Sequence, residues 1–190
     1  MKIYDAKIAV MIADGYEQSQ LDGPVEELEK AGALVEIISV GQESLKDGIQ
    51  GFNRLKPALR IEADRTIFDA TPDQYHALLI PGGALSLDRM RQSSHHLAWL
   101  KNFFDAQKPV AVIGHGALIL ADANVARGMT LTSNPSIRKD LERAGAIWHD
   151  QELVQDRNLI SARRTADLMA FNAAFIREIS QFMNQGSRAA

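Results

Sequence analysis

The chain has no cysteine among its 190 residues. That absence excludes disulfides, thiolate metal sites and cysteine nucleophiles. A basic excess is also missing: 21 Lys and Arg stand against 24 Asp and Glu, a formal net charge of −3. A general nucleic-acid or anionic-membrane binder needs the opposite sign. No apolar run approaches the length of a membrane span, roughly 18 residues. The opening MKIYDAKIAVMIADGYEQ is broken at Asp5 and Lys7, so it lacks the apolar core of a signal peptide. Neither GxGxxG nor a Walker motif occurs. The expectation is a cytoplasmic protein with no cofactor, no nucleic-acid partner and no membrane partner.

What is present is an ordinary globular composition, 46% apolar and 24% charged. The length suits one domain over residues 1–190, with a substantial core. Apolar runs alternate with helical patterns. Residues 6–13, 34–40, 76–83 and 109–113 read as buried strands. Residues 21–32, 96–107, 136–145 and 167–186 read as helices, with Pro24 in a first turn and Gly32 as a C-terminal stop. Within an irregular stretch over 41–72, LRIEADRTI predicts a short strand or hairpin. Residues 146–162 predict two strands around a turn at 156–158, and the tail NQGSRAA reads as frayed. The alternation predicts an α/β fold, a mostly parallel central sheet with helices on both faces.

In open α/β sheets, ligands bind beyond the carboxyl ends of the strands. That rule selects three loops: Asp14-Gly15-Tyr16-Glu17, Pro81-Gly82-Gly83 and Gly114-His115-Gly116. Glu17 precedes a helix. It is either a carboxylate stabilised by the helix N-terminus or an acid aimed into a pocket, and position alone favours the first. Gly82 and Gly83 can present backbone N–H groups to an anion or oxyanion, although Pro-Gly-Gly is also simply a turn. KPVAVIGHGALILADA reads as a strand, a sharp turn and a helix, a setting that often holds a nucleophile. Against the G-x-S-x-G elbow of hydrolases, however, Gly116 takes the serine position and Leu118 the last glycine. His115 can serve as acid, base or donor, while a lone strand-end histidine is more often structural. His95-His96 reads as solvated at a helix start. His149-Asp150 has no second ligand pair of matching spacing, so no metal is expected.

Taken together, KIAVMIADGYEQSQLDGPVEELEKAGALVEIIS, HALLIPGG, KPVAVIGHGALILADANVARGMTLTS and AGAIWHDQELVQDRNLISARRTADLMAFN resemble the PfpI-type intracellular proteases and the related parkinsonism-associated deglycase. These share a class I glutamine-amidotransferase-like fold. The resemblance spans about 6 to 175 and implies a flavodoxin-like three-layer sandwich, a small-molecule ligand or substrate, and a homo-oligomer, either dimer or hexamer. It also implies a stress or metabolic role, with glyoxalase, deglycase, peptidase or hydratase activity. The family elbow reads A-I-C-H-G, whereas here Val112-Ile113-Gly114-His115-Gly116 puts Gly114 at the nucleophile's place. The family histidine matches His115. Its acid, which in relatives bonds the thiol, matches Glu17. A further carboxylate donated by a neighbouring subunit has its nearest match in Asp88, in a segment one residue longer than usual. The oxyanion donors would be the N–H groups of Gly83 and His115, with Gly82 and Gly116 beside them. Activity that depends on the thiolate should then be absent or residual. Other accounts stay open. One is engineered replacement of the nucleophile, for which Ala or Ser is the commoner choice. Another is lyase or hydratase chemistry run by Glu17 and His115. A third is a non-catalytic binding or scaffold role.

Overall fold

Runs of aliphatic residues too short for helices build the centre of this protein. In the computed structural model, which describes residues 2–41 and 47–189, the strands are β1 (Lys7–Ile12), β2 (Tyr16–Glu17), β3 (Leu34–Ser39), β4 (Ile49–Asn53), β5 (Lys56–Ile61), β6 (Arg65–Thr66), β7 (Ala77–Ile80), β8 (Val110–Ile113), β9 (Thr130–Leu131), β10 (Ile147–Trp148), β11 (Leu153–Asp156) and β12 (Leu159–Ala162). The α-helices are α1 (Gln18–Lys30), α2 (Ala84–Met90), α3 (Ser94–Asp105), α4 (Leu118–Asp122), α5 (Arg138–Arg143) and α6 (Leu168–Ala189). One seven-stranded sheet has the order β11-β12-β8-β7-β1-β3-β6. Every neighbouring pair in it is parallel except β11 with β12.

All four residues of β7, β8 and β12 are buried. Strands buried on both sides of the pleat need a covering layer on each face. On one face α1 packs with α6, α1 against β3 and α6 against β12, while α2 and α3 meet β1 and β7. The result is a flavodoxin-like α/β sandwich with a mostly parallel sheet. Among the described residues no helix is long and apolar enough to cross a membrane.

The strand order positions the site. From β1 the chain first moves outward to β3, then returns to β7 on the other side of β1. Loops leaving β1 and β7 therefore meet at the carboxyl ends of the strands, where the reversal of strand order leaves a crevice beside them.

Several local expectations are corrected. Pro24 lies in the second turn of α1 rather than the first, because the helix already begins at Gln18 with Glu17 as its N-cap. Without an N–H, Pro24 leaves the Gln20 carbonyl short of its usual helical partner. The hairpin expected around LRIEADRTI is β4 with β5, and Arg65–Thr66 pairs separately with the edge of the main sheet. Part of the irregular stretch, residues 42–46, lies outside the described residues. Of the two strands expected over 146–162, β11 and β12 form the turn-linked pair, while Ile147–Trp148 joins β9 instead. The tail expected to fray continues α6 as far as Ala189, and Ala190 lies outside the described residues. His95 is exposed, stacked on Phe68 at 5.2 Å, but His96 is buried with Nδ1 3.0 Å from the Met90 carbonyl oxygen. It follows the amphipathic face of α3 into the core.

Burial holds His96 below the ordinary histidine range. Burial and the Lys108 ammonium do the same to His76, whose Nδ1 accepts the Lys7 N–H at 2.9 Å. Both groups prefer the neutral form when folded. Their stabilisation is therefore full above the unfolded pKa and is lost as pH falls through the depressed folded values. The melting temperature should hold near pH 7 and drop as pH falls below the ordinary histidine value of about 6.5. A His76→Gln variant should show a shallower drop. An identical slope in parent and variant would contradict the role given to His76.

Candidate functional site

Three loops meet at the crevice because glycine lets them touch. Gly83 has φ +115, and a Cβ there would collide with the Gly15 carbonyl oxygen and come within 2.6 Å of Tyr16 Cα. The Glu17 N–H donates to the Gly82 carbonyl at 2.9 Å, joining the loop after β1 to the loop after β7. After β8 the chain turns at Gly114, φ +60, into a short 3-10 turn and then α4. Gly116 packs so closely on β7 that a Cβ would lie 2.5 Å from the Ile80 carbonyl oxygen. The Asn134 N–H donates to the Gly114 carbonyl at 3.1 Å and ties a fourth loop to this elbow.

The crevice is a cavity of about 500 Å³. Glu17, Gln20, Arg54, His115 and Asn134 supply its polar lining, and Phe52, Leu55 and Leu85 its apolar walls. Larger clefts lie elsewhere, including one of about 820 Å³ between α1 and α6, but none of the three glycine loops reaches that one. Glu17 accepts the Ser19 hydroxyl at Oε1 and the Arg54 N–H at Oε2, each at 2.9 Å. His115 Nε2 lies 3.1 Å from Ser136 Oγ, and burial pulls its imidazole below the ordinary histidine range.

Gln20 occupies the space that a nucleophile would need. Its Oε1 accepts the Gly82 N–H at 3.0 Å. A Cβ on Gly114 would lie 3.1 Å from that same oxygen and 3.4 Å from Nε2. The backbone of Arg163 forms the other wall, its carbonyl oxygen 3.4 Å from such a Cβ. Arg163 is held in turn by the buried Asp167 carboxylate through Nε at 3.0 Å and Nη2 at 3.2 Å.

Of the residues singled out in the sequence, Glu17, Gly83 and His115 line the cavity together. Gly114 is buried behind Gln20. Gly82 faces Gln20 with its N–H already taken, and Gly116 is buried against β7. Asp88 is exposed on α2 and is not part of the cavity lining. Gln20, Arg54 and Asn134 were not anticipated. Gln20 carried a usable signal, since it falls three residues after Glu17, one helical turn along the same face. Arg54 carried none, because it arrives on the β4–β5 turn from a remote part of the chain.

Residues 6–178 match the model of the DJ-1/PfpI family. The chain belongs to that family. It is 37% identical over 172 residues to protein/nucleic acid deglycase 2 of Escherichia coli, covering 90% of this chain and 96% of the relative. It is 33% identical over 171 residues to a deglycase of Thermococcus kodakarensis, covering 90% and 98%. Among solved structures it is similar to a two-domain protein of Anabaena variabilis with DJ-1/ThiJ/PfpI-like and ferritin-like domains. That likeness has a TM-score of 0.86 and 29% identity, and it covers 93% of this chain and 48% of that one. Schizosaccharomyces pombe DJ-1 matches with a TM-score of 0.79 at 20% identity, over 95% and 97%, a likeness of fold.

The loop contact at Gly83 leaves no room for a side chain, and its positive φ adds strain for any L-residue. Gly83→Ala should therefore cost about 3 kcal/mol in denaturant unfolding. Gly128 has φ +70, but nothing lies within 4 Å of the point a Cβ would occupy, so Gly128→Ala should cost about 1 kcal/mol. Equal losses would mean that the contact at Gly83 is not what holds the loops together.

Proposed function

We propose that this DJ-1/PfpI-family protein keeps the family pocket for a small molecule and lacks the thiolate-dependent deglycase, glyoxalase or hydrolase activity of its cysteine-bearing relatives. The observation that carries this reading is Gln20. With glycine at 114 the elbow itself carries no side-chain nucleophile, and the carboxamide of Gln20 lies where its side chain would point while taking the Gly82 N–H. The Gly82 N–H, which sits beside the Gly83 and His115 donors that the family resemblance implies, is thereby engaged inside the protein and not offered to a developing oxyanion. In this reading Glu17, His115 and Gly83 hold the ligand, while Gly114 and Gly116, buried behind the cavity, set the turn that presents His115.

The alternative, a lyase or hydratase with Glu17 and His115 as acid and base, has less support. Both Glu17 oxygens already accept hydrogen bonds within the protein. A purely structural scaffold has less support too, because the cavity keeps polar groups of several kinds. Asp88, exposed on α2, is assigned to the pocket of a second copy in a cytoplasmic homo-oligomer that needs no cofactor. Sedimentation velocity should then give a dimer or larger, and a monomer would remove that role.

The parent protein should convert methylglyoxal and deglycate small adducts no faster than the buffer background, and Gly114→Cys should rise above it. The variant should also unfold more easily, by about 1–2 kcal/mol, because a left-handed backbone now carries a side chain beside Gln20. Turnover by the parent equal to that of the variant would overturn the reading.

A further inference from the structure

The elbow has no nucleophile of its own, but a hydroxyl stands beside it on another loop. Ser136 sits in the 3-10 turn Pro135–Ile137 and is exposed. Two bonds fix that turn relative to the elbow. The Ser136 N–H donates to Asn134 Oδ1 at 3.0 Å, and the Asn134 N–H donates to the Gly114 carbonyl at 3.1 Å. Ser136 Oγ then lies 3.1 Å from His115 Nε2, the reach of a nucleophile and its general base.

We propose that Ser136 and His115 form a Ser–His dyad that takes an acyl group from small uncharged esters and passes it to water. The step requires a neutral imidazole that carries its proton on Nδ1 and leaves Nε2 open. Burial alone keeps the His115 imidazole toward neutrality, although Glu17 and Arg54 line the same cavity. A neutral Nε2 is free to receive the hydroxyl proton. Asn134 also lines the cavity. Its Oδ1 is taken by the Ser136 N–H, and its Nδ2 has no acceptor among the described residues, which leaves a donor for the substrate carbonyl oxygen. Ser136 is not itself a lining residue; it adjoins the cavity through His115 and Asn134, and Phe52, Leu55 and Leu85 on the cavity walls offer an apolar surface to the remainder of the ester.

In the acylation step the Ser136 O–H proton passes to His115 Nε2 as Oγ bonds to the ester carbon. The carbonyl electron pair moves onto oxygen. Collapse of the adduct breaks the ester C–O bond, and the leaving alkoxide takes the proton from His115. Water then attacks the acyl-serine, giving its proton to His115. The carboxylic acid departs, and the proton returns to Oγ. This chemistry needs no thiol and goes beyond the binding role proposed above.

A fluorophosphonate probe, which phosphonylates an activated serine and releases fluoride, tests it on the full chain with the adduct mapped by mass spectrometry. Labelling of Ser136 is expected, absent in Ser136→Ala and slowed about 100-fold in His115→Gln. Its rate should rise with pH through a midpoint below about 6.5. Because Ser136 is exposed, Ser136→Ala should keep the parent's circular dichroism and melting temperature. No adduct on Ser136, or labelling that His115→Gln leaves unchanged, would overturn the dyad. The two readings fail separately: deglycase turnover by the parent would sink the binding reading, and an unreactive Ser136 would sink this one.

Discussion

Where the loop leaving β7 crosses the loop leaving β1, Gly83 lies so close to Gly15 and Tyr16 that no Cβ fits between them. The Glu17 N–H bonds the Gly82 carbonyl at this crossing. That bond sets Glu17 as the N-cap of α1 and so sets where Gln20 emerges one turn later. From there Gln20 reaches back to the Gly82 N–H. A closed circuit of backbone and carboxamide contacts results, and the cavity is the space left beside it. Disturbing one contact moves the others, because interiors this tightly packed do not deform continuously.

The elbow depends on the same circuit. A nucleophile at a left-handed turn carries backbone strain that the surrounding structure must hold in place. Glycine at 114 has no such strain, yet the surroundings are retained: the Asn134 bond to the Gly114 carbonyl, the close approach of Gly116 to β7, and the Arg163 wall braced by buried Asp167. The carboxylate of this pair is buried while the guanidinium is only partly covered, and such a pair serves geometry more reliably than stability. Here it sets the position of one backbone carbonyl behind the elbow.

The sheet was legible because aliphatic runs such as ALLI and VAVI have few ways to be buried other than as central strands. The three glycine loops were legible for a related reason, since the carboxyl ends of parallel strands are where such folds open. The errors came where local pattern competes with tertiary contact. Pro24 was read as a helix start because proline is favoured there, but the Glu17 contact with Gly82 pulls the start forward. His96 was read as solvated because histidine next to histidine at a helix start usually is, but its face of α3 turns inward.

By itself, the sequence determined the α/β class, the positions of the central strands and the missing nucleophile, because each is written in residues adjacent along the chain. Only the tertiary structure decided that Gln20 fills the space beside Gly114, that Arg54 caps Glu17, and that Ser136 faces His115. Those partners are separated along the chain by 94, 37 and 21 positions. No periodicity in a single segment carries the distance between two loops. That distance follows from strand order and from how closely glycine lets the backbones approach.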